Sequence, residues 1–368
     1  MRDRSAFDIY WAGGEDESDI RTLIGSVVMP GAVSIRFERE PDYFLGASIM
    51  GDRCDVLVAR HRPDRRLAAI GCRAERSAWV NGREERVGYI GQIRVAEGFR
   101  GTWLVQQGAQ WYCEAGGRDL LYFGVIASEN PRARKLLTGG RLPGGVYVRR
   151  LCGMTTYAIA LGRQRQPRVQ GIRIGAGSTE GLGAIVDFVH RHGARRQLFP
   201  AYTEEDFIGG VRLRGLSPQD IMVASRDGAI CGVMAVWNQA AYKQDVVDSY
   251  SPTLRRIQPF YDVGARLLGF APLTAPGQAI PLSFAACICV ANDDLEVMRA
   301  LLRVSEEHAR QNGKAFFMLG LADKDPLLAA ASTTIHITYR SDLYAAAWSP
   351  DRLKQLDDRV PYIEIATL

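Results

Sequence analysis

The feature that most constrains this chain is that one order of strands, turns and helices runs through it twice. In the first pass, a short apolar run from Phe7 to Ala12 breaks at Gly13-Gly14. Glu15, Asp16, Glu17 and Ser18 then open an amphipathic helix to about Met29. A short helix is predicted over 41–50, followed by strands at 55–60, 67–78 and 86–95, the last two joined by Asn81-Gly82, a strong hairpin signal. From Gly101 the apolar period lengthens: Leu104, Val105, Gly108, Trp111 and Tyr112 predict a helix ending at Gly116-Gly117. A continuous apolar strand at 120–127, a helix at 130–137 and a closing strand near 154–161 complete the unit.

The second pass starts with a strand at 172–175 and a helix over 178–191, N-capped by Ser178 or Thr179. It continues with a helix at 204–213, a hairpin of 221–226 and 229–237 over Asp227-Gly228, a strand at 282–290, a long helix at 294–311 and an apolar strand at 315–321. Gly14 and Gly177 stand 163 residues apart and Gly71 and Gly232 stand 161 apart, whereas Val95 and Val290, like Pro131 and Pro326, stand 195 apart. The 34-residue difference between the last two offsets is an insertion in the second copy, over 242–281, carrying Pro252, Pro259, Pro272, Pro276 and Pro281. The expected fold class is therefore α/β (α+β mixed sheet), in two tandem copies, each a mostly antiparallel sheet flanked by helices. The copies span 1–161 and 171–348, joined by a polar, basic linker at 162–170 and followed by a tail at 349–368. A length of 368 residues also exceeds what one hydrophobic core usually serves.

Composition excludes several classes. A net charge of +5 over the whole chain gives no concentrated basic stripe for nucleic acid. The opening residues lack an apolar signal region, and no stretch approaches a membrane span, so a soluble, cytoplasmic protein with no membrane partner is expected. Seven cysteines include no CxxC pair, and the five histidines have no metal-ligand spacing, so no metal is expected. Gly175-Ala-Gly-Ser-Thr-Glu-Gly181 follows a strand and opens a helix, but no acidic residue follows about 20 positions on, where Arg195 and Arg196 stand instead.

Val95-Ala-Glu-Gly-Phe-Arg100-Gly101-Thr102-Trp103-Leu104-Val105, at the junction of a strand and a helix, resembles the phosphate-binding turn of the GNAT acyltransferase superfamily, and Asn130-Pro-Arg132-Ala133 resembles the opening of that family's fourth helix. Trp103 and Val105 stand where the family has small residues. The physical logic of such a turn is that unpaired N–H groups at a helix start, carrying the positive end of the dipole, cradle a pyrophosphate. The resemblance implies that the co-substrate is acetyl-CoA or another acyl-CoA. It further implies a pyrophosphate against Arg100 to Val105, an adenosine phosphate near Asn130 and Arg132, and a pantetheine arm pairing with the strand at Ile93, Arg94 and Val95. Gly91 would supply the bulge that splays the strands.

In the second copy, Asn292-Asp293-Asp294-Leu295-Glu296 occupies the equivalent turn. Its three carboxylates repel a pyrophosphate, so the first copy is expected to carry the cofactor. Transfer to an amine needs a proton acceptor. Glu85, Tyr89, or water held by Gln92 are the candidates on this strand, while the family's usual acid position in the fourth helix reads Leu137. The expected reaction is transfer of an acyl group, acetyl first among them, to the amine of a small molecule or peptide, with an oligomer possible. The alternative is an inactive copy of the fold used as a ligand-binding or protein-interaction module. Trp103 is the tryptophan expected to line a pocket.

Overall fold

Asn81 and Gly82 both adopt left-handed backbone (φ 52° and 78°), as do Asp227 and Gly228 (φ 52° and 82°), so each Asn-Gly or Asp-Gly pair closes a tight hairpin whose twist matches its strands. These two hairpins anchor the two copies. The computed structural model describes residues 6–100, 102–114, 117–138, 141–142, 145–163 and 171–368. Most of the linker and Gly101 lie outside the described residues. The first copy contains β1 (Phe7–Trp11), α1 (Glu17–Gly25), β2 (Val28–Met29), β3 (Val33–Glu38), α2 (Tyr43–Ala47), β4 (Arg53–His61), β5 (Leu67–Val80) and β6 (Arg83–Val95). It continues with α3 (Thr102–Glu114), β7 (Leu121–Ala127), α4 (Pro131–Thr138), β8 (Arg141–Leu142) and β9 (Val146–Ala160). The second copy contains β10 (Arg173–Ala176), α5 (Leu182–Gly193), β11 (Phe199–Pro200), α6 (Glu204–Phe207), β12 (Ile221–Arg226), β13 (Ala229–Trp237) and β14 (Gln244–Tyr250). Then follow α7 (Pro252–Leu267), β15 (Leu282–Val290), α8 (Leu295–Gln311), β16 (Phe316–Ala322), β17 (His336–Ala347) and α9 (Pro350–Lys354).

Three elements differ from the sequence pattern. The helix expected to reach Met29 stops at Gly25, and Val28 and Met29 pair with Arg36 and Ile35 of β3, a strand whose charged residues hid it. The helix expected at 204–213 is a single turn, because Gly209 takes φ 77° and reverses the chain. The insertion is structured: β14 pairs with β3, so a three-stranded sheet in the order β14-β3-β2 ties the insertion to the first copy.

The two copies share one large sheet, in the order β1-β4-β5-β6-β7-β17-β9-β16-β15-β13-β12-β10. Their closing strands are exchanged. β17, from the second copy, pairs with β7 of the first, while β9, from the first copy, pairs with β16 of the second. β9 and β17 also pair with each other, from Tyr147–Ala347 to Ile159–His336. Asp342 of β17, almost fully buried, is gripped by Arg150 of β9 (2.6 Å) and Arg134 of α4 (3.4 Å). The linker therefore separates the copies in sequence and not in space. Residues 349–368 are no free tail, since Leu353, Tyr362, Ile363 and Ile365 are buried in the two main cores.

The equivalent glycines of the two central strands have one cause. A Cβ at Gly71 would lie 2.9 Å from the Tyr112 hydroxyl of α3, and one at Gly232 would lie 2.6 Å from Val297 and 2.8 Å from Leu301 of α8. Each strand is bare where the following helix crosses it. Gly232→Val should therefore destabilise the fold by about 1–3 kcal/mol through overpacking, read as a lowered midpoint in urea unfolding. An unchanged midpoint would show that α8 has room to move.

Candidate functional site

β6 and β7 run parallel, but their pairing lasts only from Val87–Leu121 to Tyr89–Phe123. Beyond it the strands part. The cause lies on β6, where pairing to β5 passes from Gly91–Cys72 to Arg94–Ile70, leaving Gln92 and Ile93 opposite the single residue Gly71. Gln92 occupies the left-handed region at φ 54°, the backbone of a bulge that turns main-chain groups out of the ladder. Gly91 cannot carry a side chain, because a Cβ there would collide with the Tyr89 hydroxyl.

Tyr89, Gly91 and Arg94 pair with Ala74, Cys72 and Ile70, so all three share the face of the sheet covered by α1 and α2. Polar groups gather on that face. Arg94 donates to the Ile93 carbonyl (3.0 Å), and burial lowers its affinity for its proton. Arg39, 3% exposed, donates to the Glu38 carbonyl, and burial acts on it in the same direction. Neither Nε–H has a partner among the described residues. Lys243, at the start of β14, donates to the Ala366 and Leu368 main-chain oxygens (2.9 Å each) and sits over the Phe284 ring. Burial, reinforced by the Arg39 cation, pulls its pKa down to about 7. Asp245 beside it is pushed up by burial, against the pull of Lys243 and Arg39. Arg39 and Lys243 thus share one buried carboxylate, Asp245, while Arg94 lies close enough to Arg39 to disfavour its charge.

The residues singled out in the sequence separate under this geometry. Gln92, Ile93, Arg94 and Val95 lie at and beyond the bulge. Tyr89 is buried there against Phe123, and burial pushes its phenol up, so at neutral pH it holds its proton and is a donor rather than the acceptor expected. Glu85 is seven residues upstream of Gln92, roughly 20 Å along a strand, paired with Arg352 of α9 at the hairpin end. Its position does not support the role of proton acceptor. Arg100 is exposed at the turn after β6, while the side chains of Thr102, Val105 and Arg132, like Gly101, lie outside the described residues. Trp103 does not line the slot: its ring packs edge-on to Phe7 of β1 (5.0 Å), in a small core with Phe99 and Leu104. The Asn130 carboxamide accepts from the Ala133 amide (3.1 Å) and caps α4.

The second copy repeats the bulge and shows what such a site holds. Cys287, 195 residues after Gln92, takes φ 51°, and β15 parts from β16 after Phe284–Met318. Here the freed amides are occupied by the chain's own C-terminal segment. The Cys287 N–H donates to the Glu364 carboxylate (2.8 Å), and the Ile288 N–H donates to the Tyr362 hydroxyl (3.1 Å). The hydroxyls of Tyr202 and Tyr362 donate to the same Glu364 oxygen, at 3.2 and 3.0 Å. Ile365 lies where a Cβ on Gly320 would stand, so the slot is closed.

Arg39, Lys243, Asp245 and Glu364 escaped sequence reasoning because they belong to the unexpected strand β3, the insertion and the supposed tail. Glu364 alone carried a signal, as a carboxylate inside the apolar run Tyr362 to Ala366. Among the described residues, no three His, Cys, Asp or Glu side chains are grouped to hold a metal ion, and no helix is long and apolar enough to cross a membrane.

No protein-family model and no curated protein matches the sequence. Solved structures match the fold. Saccharomyces cerevisiae N-myristoyltransferase with bound myristoyl-CoA superposes with a TM-score of 0.60 at 12% identity, over 99% of this chain and 91% of that one. A GCN5-related N-acetyltransferase from Sphaerobacter thermophilus gives 0.55 at 14% identity, over 99% of each chain. A GCN5-related glucosamine N-acetyltransferase region of a fungal multi-domain β-N-acetylglucosaminidase gives 0.57 at 13%, over 92% of this chain and 38% of that one. This chain shares the fold of these structures.

The Lys243 shift carries a stability consequence. With a folded value near 7 and an unfolded value near 10.5, the unfolded chain binds more protons between these limits, so this residue makes stability rise with pH across that window. Thermal unfolding from pH 6.5 to 10 should show this rise in the wild type and a flatter profile in Lys243→Met. Identical slopes would refute the shift.

Proposed function

We propose that this chain is an acyl-coenzyme A-dependent N-acyltransferase whose thioester lies in the splay between β6 and β7. The observation that supports it most is the duplicated bulge. At Cys287 the turned-out amide holds a carboxylate oxygen, and at Gln92, which repeats that backbone, no strand among the described residues pairs with β6 on the β7 side. A pantetheine arm adds to the β6 edge as an extra strand, and the amides at Gln92 and Ile93 polarise the thioester carbonyl as negative charge develops on it.

Arg94 and Arg39, buried with unpaired Nε–H groups, favour that charge in a setting of low polarity. Tyr89, protonated at neutral pH, is the donor for the departing thiolate. Water held by Gln92 accepts the ammonium proton, with Lys243 and Asp245 as the neighbouring buried groups that tune its pH dependence. The phosphates are assigned to the turn after β6, at Arg100, and the adenosine end to the start of α4, at Asn130. The acceptor is a small-molecule or peptide amine entering from the face covered by α1, α2 and the β2-β3-β14 sheet. The acyl group is acetyl or a longer chain. Two solved relatives of the fold are described as an N-acetyltransferase and an N-myristoyltransferase with bound myristoyl-CoA.

Isothermal titration with acetyl-, octanoyl- and myristoyl-CoA should find one site per chain, since the second slot is closed from within. Absence of binding at about millimolar ligand, a Kd corresponding to only ~4 kcal/mol, would sink the assignment. Arg94→Met should lower kcat about ten- to a hundredfold while KM for acyl-CoA changes far less. An unchanged kcat would remove Arg94 from the chemistry.

A further inference from the structure

Helix α7, in the insertion, is built inside out. Its inward positions are Leu254, Gln258, Asp262 and Ala265, and of these only Ala265 is fully buried. Asp262, the helix's one carboxylate, is turned inward to accept from the Leu273 amide (2.8 Å). The large apolar side chains face out: Phe260 is 81% exposed, Leu267 82%, Leu268 71%, Val263 58% and Ile257 49%. At 100° per residue these fall within one arc of about 140° on the side away from the protein, interrupted by Arg256 between Val263 and Leu267. Arg255 and Arg266 are exposed along its flank and Arg256 is exposed within it, and the outward surface carries no carboxylate of the helix.

A globular helix normally buries its apolar face, and contiguous exposed apolar patches mark interaction sites. We infer that α7 docks the protein on an anionic lipid surface, its apolar arc entering the headgroup–acyl boundary and its arginines meeting the phosphates. Charge selects this occupant. A symmetric pairing of α7 with α7 from a second copy would set the same three cations near each other, whereas a bilayer rich in anionic lipid neutralises them. Surface docking does not require a spanning helix, and the inference stands on α7 alone, independent of the acyl-CoA reading.

The experiment is co-sedimentation of the full chain with phosphatidylcholine vesicles, with and without phosphatidylglycerol, at low and high salt. The wild type should bind the anionic vesicles and lose at least about tenfold in partitioning on neutral ones. Phe260→Ser/Leu267→Ser and Arg255→Glu/Arg256→Glu should each lose about tenfold or more on anionic vesicles, the wild-type interaction weakening with salt. Because the altered side chains are outward, urea unfolding midpoints should match the wild type, which separates loss of docking from loss of fold. Failure of the wild type to bind either vesicle would overturn the inference, as would equal binding by the Phe260→Ser/Leu267→Ser variant. Sedimentation velocity provides a further arm: self-association abolished by Phe260→Ser/Leu267→Ser would assign the face to a second copy instead.

Discussion

One backbone constraint recurs in both copies of the repeated unit: a single residue forced into the left-handed region inside a strand. At Gln92, as at Cys287, two residues on one strand oppose one on its neighbour, and the ladder cannot continue on the far side. A buried strand edge with unpaired amides is costly unless something accepts from them. At the second bulge that demand is met within the chain, whereas Ile93 at the first is 41% exposed.

In the second copy the partner is internal. Glu364 and Tyr362 satisfy the amides of Cys287 and Ile288, and the buried carboxylate is itself held by two tyrosine hydroxyls. Burial still pushes Glu364 up, so its hydrogen bonds only partly offset desolvation. The plug belongs to a wider interlock. The exchanged strands β9 and β17, the Asp342 clamp and the β3–β14 pairing all cross between copies, so neither sheet is complete without the other.

The electrostatics follow from the same division. Arg39 and Lys243 gather against Asp245 near Arg94 of β6, with burial working against every one of these charges. A cationic, partly unsatisfied environment is costly in a resting protein and useful where negative charge appears during reaction. Perturbed groups of this kind cluster at functional sites more often than in structural cores. Here they lie beside the bulge, which ties the two observations together.

Local chemistry was legible in the chain. Asn81-Gly82 and Asp227-Gly228 specify hairpins because they tolerate positive φ, and the offsets between Gly71 and Gly232 and between Val95 and Val290 reveal the duplication because equivalent packing needs equivalent small or apolar residues. What lay beyond the sequence was everything that depends on a distant partner. Glu85 and Tyr89 looked alike as candidates on one strand, yet Arg352, far along the chain, ties up the first, and burial holds the proton on the second. Trp103 looked like a slot residue until Phe7 claimed its ring. Residue type and spacing thus determined the repeated unit and where its strand must break. Tertiary structure alone decided which break the chain itself fills, because the groups that fill or charge each one come from strands and segments that only folding brings alongside it.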